Sequence, residues 1–203
     1  MTGIETIMRT SPVIPVLVLH DAAHAMAIAE ALVSGGLRVL EVTLRTSAAL
    51  DVIRAMKQVP GAIVGAGTVL NVRDMDAAIA AGAEFIVSPG LTEPLARTAS
   101  DREIPFLPGI ANASDIMRGL DLGLDRFKFF PAEASGGLPA LRALAAPFHQ
   151  ARFCPTGGIT PETASGWLAE DAVLCVGGSW LVGKGAPDPA AIHAAAIAAA
   201  ALP

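Results

Sequence analysis

The sequence predicts an α/β protein of the (β/α)8 class, a TIM barrel with an extra helix before its first strand. Short apolar, β-branched runs alternate with segments of helical spacing, and a repeat of about 21 to 26 residues per unit suits a parallel sheet covered by helices. Eight such runs occur, which matches the eight units of a small barrel. An open doubly wound sheet is the alternative architecture.

The predicted strands share a richness in Val, Ile, Leu and Phe. They fall at 12–19, 37–44, 62–67, 84–88, 104–110, 126–130, 152–155 and 172–178. Alanine- and leucine-rich segments between them are good helix formers, and glycines at their ends suit C-caps. Residues 3–10 are predicted to form the extra helix, which would plug the lower end of the barrel, and 189–203 an outer helix.

Composition favours one domain over residues 1–203 and a small-molecule partner. Hydrophobic residues make up 53% of the chain, yet its longest apolar runs are well short of the roughly 18 residues that span a bilayer, so no membrane segment is predicted. A net charge of -5 and the lack of tyrosine argue against a basic groove for nucleic acid. The first residues lack a secretory pattern, so we expect a cytoplasmic protein.

Neither the cysteines nor the histidines predict a metal site. Cys154 and Cys175 are too few for a disulfide framework and lack zinc-binding spacing, so we expect reduced, buried thiols. The histidines are dispersed, at His20, His24, His149 and His193. The first two bracket a predicted helix start and are expected to be solvated. The stretch "GAGTVL" lacks the third glycine of a dinucleotide fingerprint, so no NAD is expected.

Polar residues follow the predicted strands at the end where barrel enzymes place their reactive groups. In "LEVTLRT", Glu41 alternates with Leu40 and Val42, so the glutamate should point into the barrel while its neighbours face the helices. Arg45, farther along this segment, and Thr68, after the third strand, are suited to hold a substrate carboxylate by charge-assisted hydrogen bonds.

The sixth predicted strand carries a lysine among phenylalanines, in "RFKFF". Strand alternation turns the two adjacent rings outward and Lys128 inward. Burial disfavours the charged form of an amine, which favours a nucleophilic lysine that attacks a carbonyl while Glu41 moves protons. A buried ion pair without a catalytic role is the alternative. Lys57 and Lys184, the other lysines, lie in contexts typical of a helix end and a surface loop.

Two glycine-containing stretches predict an anion site. In "PTGGITPE", Gly157 and Gly158 let backbone amides approach an anion, and the Thr-Pro pair that follows suits the start of a helix, whose N-terminus favours phosphate. In "VGGSW", one strand later, Gly177, Gly178 and Ser179 add a second loop. Barrel enzymes commonly hold phosphate at the loops after their seventh and eighth strands.

These motifs together resemble the bacterial 2-keto-3-deoxy-6-phosphogluconate (KDPG) aldolases, which also act as 4-hydroxy-2-oxoglutarate aldolases. "LEVTLRT", "GAGTVLN", "SPGLTEP", "PGI", "FKFFPAE", "CPTGGI" and "GGSWLV" occur in the family's order and spacing over nearly the whole chain. The resemblance implies a class I lyase of the Entner–Doudoroff route, with a (β/α)8 barrel, no metal and no cofactor, a keto-acid phosphate substrate, and a homotrimeric assembly.

The same resemblance implies a role for each matching residue. Lys128 would form the Schiff base with the C2 ketone, and Glu41 would be the general acid and base. The remaining positions bind substrate: Arg45, Thr68 and Pro89 at the carboxylate, Phe130 in the pocket wall, Thr156 for stereoselectivity, and Gly157, Gly158, Gly177, Gly178 and Ser179 at the phosphate. One departure is Val18, where several relatives carry an arginine near the end of the first strand.

Two other functions fit the same phosphate loops. One is a barrel that binds a phosphosugar without turnover, for which a missing nucleophile would be the signature. The other is a different barrel enzyme, such as a thiazole- or indole-pathway synthase. Reductive trapping of a substrate on Lys128 distinguishes the aldolase from both.

Overall fold

The computed structural model describes residues 3–183 and 185–203, and in these ranges helices and strands alternate along the chain. The strands are β1 (Val13–Leu17), β2 (Val39–Thr43), β3 (Ile63–Gly67), β4 (Ile86–Val87), β5 (Phe106–Leu107), β6 (Gly109–Ile110), β7 (Arg126–Phe129), β8 (Arg152–Pro155) and β9 (Val176–Gly178). The helices are α1 (Gly3–Met8), α2 (Ala25–Ser34), α3 (Ala49–Met56), α4 (Val72–Ala80), α5 (Glu93–Asp101), α6 (Ala113–Asp121), α7 (Gly137–Ala145), α8 (Pro161–Leu168) and α9 (Pro189–Ala200).

The strands form a curled, parallel sheet of the α/β type. Six strands pair in the order β5-β4-β3-β2-β1-β9, and three pair in the order β6-β7-β8. Single parallel bridges, Phe153 to Val173 and Thr156 to Gly177, connect β8 to the segment that contains β9. All strand pairs in the described ranges are parallel, so their carboxyl ends lie on one side of the fold.

The fifth predicted strand is wrong as a single element, because the structure divides it at Pro108. β5 pairs with β4, whereas β6 pairs with β7. A proline has no N–H for the ladder, so pairing changes sides at this residue. The carbonyl of Pro108 instead accepts from the backbone N–H of Lys128 at 2.9 Å. The last predicted strand, 172–178, is also shorter in the structure, where only Val176–Gly178 is a strand.

Two apolar clusters separate the faces of the strands. The larger one lies between strands and helices and includes Leu40 and Val42. The smaller one gathers the opposite faces, with residues of α1 among them: Ile4, Ile7, Met8, Ile14, Val39, Phe85, Val87, Leu107, Cys154 and Cys175. Val39 has the side-chain parity of Glu41, so the glutamate belongs to the face enclosed by the strands.

Several smaller predictions concern the surface. Lys57 is the C-cap of α3 and pairs with Glu84 at 2.9 Å, which confirms its place at a helix end. Gly36 and Gly82, each two residues beyond the end of a helix, have positive φ, as expected of glycines that end helices.

The prediction for Lys184 lies outside the described residues. No helix in the described ranges has the length and apolar character to cross a membrane.

A carboxylate on α1 ties this helix to the strand that carries Lys128. Glu5 is buried, and Arg126 on β7 donates to its Oε2 from Nη2 at 2.7 Å. Arg9 donates from Nε to Oε1 of the same carboxylate at 2.8 Å. These hydrogen bonds from Arg9 and Arg126 lower the pKa of Glu5 from 4.5 to about 2. The charged form of Glu5 therefore stabilises the folded state.

We expect Glu5→Gln to reduce the acid sensitivity of folding. The carboxylate stabilises the fold fully above pH 4.5, and this stabilisation is lost as the pH falls from 4.5 towards 2, because the folded state binds the proton less readily. Urea titrations at neutral pH and at points between pH 4.5 and 2 should show a lower free energy of unfolding for the variant at neutral pH and a smaller decrease on acidification. Glu93→Gln, in an exposed pair with Arg97, is the control. Equal pH slopes in variant and wild type would contradict the linkage.

Candidate active site

A buried ion pair joins β2 to β7 on the face enclosed by the strands. Nζ of Lys128 on β7 is 3.0 Å from Oε1 and 3.4 Å from Oε2 of Glu41 on β2. The side chains are only 6% and 4% exposed. The structure thus brings together the two residues that strand parity had placed on the inward face, although they are far apart in sequence.

The phenylalanines around Lys128 divide between two environments. Phe127 and Phe129 belong to the cluster under the helices, and the Phe129 ring lies 6.3 Å from that of Trp167 on α8. Phe130 differs, because its ring centroid is 5.5 Å from Lys128 Nζ. Alternation along β7 is therefore confirmed, and an aromatic face borders the amine at the end of the strand.

Space for Glu41 depends on a glycine of the neighbouring strand. Gly67 ends β3 and pairs with Thr43, and a Cβ at this position would overlap the Glu41 side chain. Any larger residue at 67 would displace the carboxylate from Lys128. Gly67, the second glycine of "GAGTVL", is thus explained by its close contact with Glu41, and this contact accounts for the glycine without a bound dinucleotide.

Arg45 and Thr68, the residue after this glycine, are joined by a side-chain hydrogen bond. Nε of Arg45 donates to Oγ1 of Thr68 at 3.1 Å, and Arg45 is exposed. Thr68 has φ of 56°, a left-handed conformation that costs a β-branched residue of the order of 1–3 kcal/mol. The contact supports the predicted pairing of these residues. The exposed Arg45 guanidinium has further N–H donors besides the one bonded to Thr68.

Pro89 and Thr156 border the lysine from two sides. The Pro89 carbonyl lies against the Cα of Gly109, and Gly109 is the strand partner of Lys128. On the other side Lys128 pairs with Cys154 of β8, and the buried Thr156 hydroxyl lies 3.9 Å from the Cys154 sulfur. Both predicted substrate-binding residues are therefore next to the lysine strand.

Two thiols form part of the layer beneath the ion pair. Cys154 and Cys175 are both free and buried, as predicted. A hydrogen bond with Cys154, then burial, and then the charges of Cys154 and Glu41 raise the pKa of the Cys175 thiol well above its usual value. A buried thiol of raised pKa is a poor nucleophile, so the geometry favours Lys128 as the reactive group.

The loop after β8 has the backbone geometry predicted for an anion site. Gly157 and Gly158 have φ of 105° and 81°, which only glycine adopts readily. α8 begins shortly afterwards at Pro161, and the N–H of Thr160 donates to the Thr163 hydroxyl at 3.0 Å. The predicted glycine loop and helix start are confirmed.

A cleft of about 720 Å³ extends from this side of the fold, within the ~300–1,000 Å³ typical of ligand pockets. It joins two predicted site residues, Arg45 and Ser179, which lie on different loops. Val18, His20 and His24 also line it. Among residues 3–183 and 185–203, no three His, Cys, Asp or Glu side chains are grouped to hold a metal ion.

Comparison with known proteins identifies the family. The family model for KDPG and KHG aldolase, where KHG is 4-hydroxy-2-oxoglutarate, matches residues 4–195. The chain belongs to this aldolase family. It is 61% identical over 202 residues to the 2-dehydro-3-deoxy-phosphogluconate aldolase of Zymomonas mobilis, a match that covers 100% of this chain and 97% of the relative.

Solved aldolase structures have the same fold. The Zymomonas mobilis enzyme with 3-phosphoglycerate superposes with a TM-score of 0.98 at 60% identity, covering 100% of this chain and 97% of the other. The KDPG aldolase of Legionella pneumophila, with pyruvate captured as a covalent carbinolamine, gives 0.95 at 41% identity, covering 98% and 99%. The parallel α/β architecture is therefore that of KDPG aldolases.

Sequence reasoning missed one side chain at the glycine loop after β8, that of Glu133. Glu133 lies in the quoted "FKFFPAE", and its Oε1 accepts from Trp167 Nε1 at 3.1 Å. Its Cβ and Cγ are so close to Gly158 that a Cβ on the glycine would meet them at 2.7 Å. Glu133 thus braces the loop after β7 against both α8 and the glycine loop. Only its position two residues after Pro131 hinted at this contact.

Proposed function

We propose that the protein is a class I aldolase that cleaves KDPG to pyruvate and D-glyceraldehyde 3-phosphate. We include cleavage of 4-hydroxy-2-oxoglutarate to pyruvate and glyoxylate, an activity that the family's name supports. The observation that carries the proposal is the buried contact between Lys128 and Glu41 at 3.0 Å. This contact supports a reacting centre in which an amine nucleophile and a proton acceptor act together.

The contact supports formation of a Schiff base. A proton passed from Lys128 Nζ to a Glu41 oxygen turns the ion pair into a neutral amine and a neutral acid, which a water-poor site tolerates better than an isolated charge. The amine then adds to the C2 ketone to give a carbinolamine. Glu41 returns its proton to the carbinolamine hydroxyl, which leaves as water, so that an iminium ion and the Glu41 carboxylate remain. The pyruvate carbinolamine in the Legionella pneumophila enzyme supports this sequence.

Carbon–carbon cleavage follows from the iminium ion. The Glu41 carboxylate removes the proton of the C4 hydroxyl, directly or through water, while the C3–C4 electrons move to the iminium nitrogen. This step releases the aldehyde and leaves an enamine on Lys128. Glu41 then returns a proton to C3, and water hydrolyses the pyruvate iminium. The lysine nitrogen supplies the electron sink, so the reaction needs no metal or other cofactor.

The remaining site residues are assigned by their places around the lysine. Arg45 and Thr68 bind the carboxylate next to the ketone, with Pro89 beside them, and Phe130 forms the pocket wall. Thr156, buried two residues beyond the strand partner of Lys128, influences the face on which the C4 hydroxyl is held. The phosphate is bound by the glycine loop after β8, with Gly157 and Gly158, and by the end of β9 and the residue after it: Gly177, Gly178 and Ser179. The structure thus places the last two glycines in the strand, and the loop predicted from "VGGSW" begins only at Ser179. The positive φ of Gly157 and Gly158 supports their assignment.

The architecture of the proposed enzyme is one domain over residues 1–203. We propose that β5 and β6 act as one interrupted strand and that the sheet closes into a (β/α)8 barrel with α1 as its extra N-terminal helix. The bridge between Thr156 and Gly177 and the packing of α1 among inward-facing residues support this closure. A homotrimer and a cytoplasmic location stay predictions.

Borohydride trapping tests the function directly. Incubation with pyruvate and reduction should give a stable adduct, which peptide mass spectrometry should place on Lys128, and incubation with KDPG should release pyruvate. A protein that binds phosphosugars without turnover, or a synthase of another pathway, would give neither result. A trapped adduct on a different residue, or KDPG cleavage without any adduct, would refute the Schiff-base mechanism.

A further inference from the structure

Two histidines between β1 and α2, His20 and His24, line the cleft that also contains the predicted site residues Arg45 and Ser179. Val16 on β1 is the strand partner of Glu41 and lines the cleft, so the cleft begins one strand away from the catalytic carboxylate. Past Val18 it reaches His20 and His24, both exposed. The solvated state predicted from sequence is thus confirmed, but the solvent around these rings is that of a large cleft.

The loop after β9 lines the same cleft. Ser179 follows Gly178, the last residue of β9, and shares the cleft with Arg45, His20 and His24. An anion held by Ser179 would therefore lie in the same cleft as the imidazoles. The cleft joins a proposed binding residue for each end of the substrate, Arg45 and Ser179, to the two histidines.

The other charged groups in the cleft leave the histidines available. Arg45 is engaged with Thr68, and Oδ1 of Asp21 accepts from the backbone N–H of Ala23 at 2.8 Å. Neither imidazole has a hydrogen-bond partner among the described residues. An imidazole donates one hydrogen bond when neutral and two when protonated, and hydrogen bonds to an anion are among the stronger ones.

We propose that His20 and His24 bind the phosphate end of the substrate from the loop after β1, in the cleft that they share with Ser179. The inference rests on the proposed aldolase function and adds the residues of this chain that select a phosphorylated substrate. Val18 is exposed and apolar, and the Asp21 carboxylate, which also lines this side, accepts from the Ala23 N–H, so the imidazoles are the side chains here that can donate to an anion.

The test compares two substrates that differ only at C6. We expect His20→Ala/His24→Ala to lower kcat/KM for KDPG by about tenfold or more, the effect of losing one charge-assisted hydrogen bond. For 2-keto-3-deoxygluconate, which has a hydroxyl in place of the phosphate, the change should be less than about twofold. Inhibition by inorganic phosphate should weaken in the same variant, and His20→Gln/His24→Gln, which keeps N–H donors, should recover part of it.

His149→Ala is the matched control, because it removes an exposed histidine that precedes β8 at the other end of the fold. An equal loss on both substrates, or no loss on KDPG, would overturn the inference. Pyruvate trapping on Lys128 separates this failure from that of the proposed function: an adduct in wild type and variant alike keeps the aldolase and tests only the histidines. Absence of the adduct in the wild type would refute both.

Discussion

Replacement of Lys128 should abolish both the pyruvate adduct and the cleavage of KDPG. Without the amine no iminium ion forms, so the C3–C4 electrons have no acceptor. Loss of a covalent nucleophile lowers turnover by on the order of 10⁴-fold or more. We expect this result for Lys128→Met, with pyruvate release measured by a coupled assay and the adduct by borohydride reduction and mass spectrometry.

Lys128→Met also removes the cation that pairs with the buried Glu41 carboxylate. Breaking a buried pair by removing one partner costs about 3–5 kcal/mol of stability, so Lys128→Met alone confuses misfolding with lost chemistry. Lys128→Arg keeps a cation beside Glu41, but a guanidinium stays protonated and cannot form the imine. It should fold better than the methionine variant and be equally inactive.

The matched control for the lysine is Lys57→Met. Lys57 forms an ion pair with Glu84 at 2.9 Å in a partly exposed position, remote from the strand ends. Its loss should leave KDPG cleavage unchanged, since exposed pairs contribute only about 0–1 kcal/mol. An adduct that persists in Lys128→Arg, or moves to another lysine without loss of rate, would contradict the role of Lys128.

The central pair was predictable from sequence because strand parity is local. Successive strand residues point to opposite faces, so the apolar pattern around Glu41 and around Lys128 fixed their direction before any contact was known. The glycine loop after β8 was predictable for a related reason, since positive φ at Gly157 and Gly158 is a property that only glycine satisfies easily. The second predicted loop was not, because Gly177 and Gly178 belong to β9.

Other features depend on contacts between distant segments. The sequence has no repeating pattern, such as the two-residue alternation of a strand, that would predict these contacts. The break at Pro108 follows from which strands its two sides pair with, and a proline inside an apolar run does not reveal this. The hydrogen bond from Trp167 to Glu133 joins a helix to a loop 34 residues away. His20 and His24 were correctly expected to be exposed, but only the fold shows that they border the cleft with Ser179.

Glu41→Gln should separate formation of the Schiff base from proton transfer. The amide has nearly the same shape as the carboxylate, whose Oε1 lies 3.0 Å from Lys128 Nζ, so we expect the amide oxygen to accept from the lysine in the same place. An amide is not a base at neutral pH, however, and cannot carry a proton to or from C3. We expect pyruvate to remain trappable by borohydride, while exchange of its methyl protons with solvent falls by about 100-fold or more.

Exchange followed by NMR in deuterium oxide measures the proton step without the aldehyde. KDPG cleavage should fall with it, because removal of the C4 hydroxyl proton uses the same carboxylate. Glu84→Gln, which removes the surface carboxylate paired with Lys57, is the control and should leave exchange unchanged. Exchange at the wild-type rate in Glu41→Gln would assign the proton transfer to another group. Loss of trapping together with exchange would show instead that Glu41 is needed to form the imine, since both reactions share that intermediate.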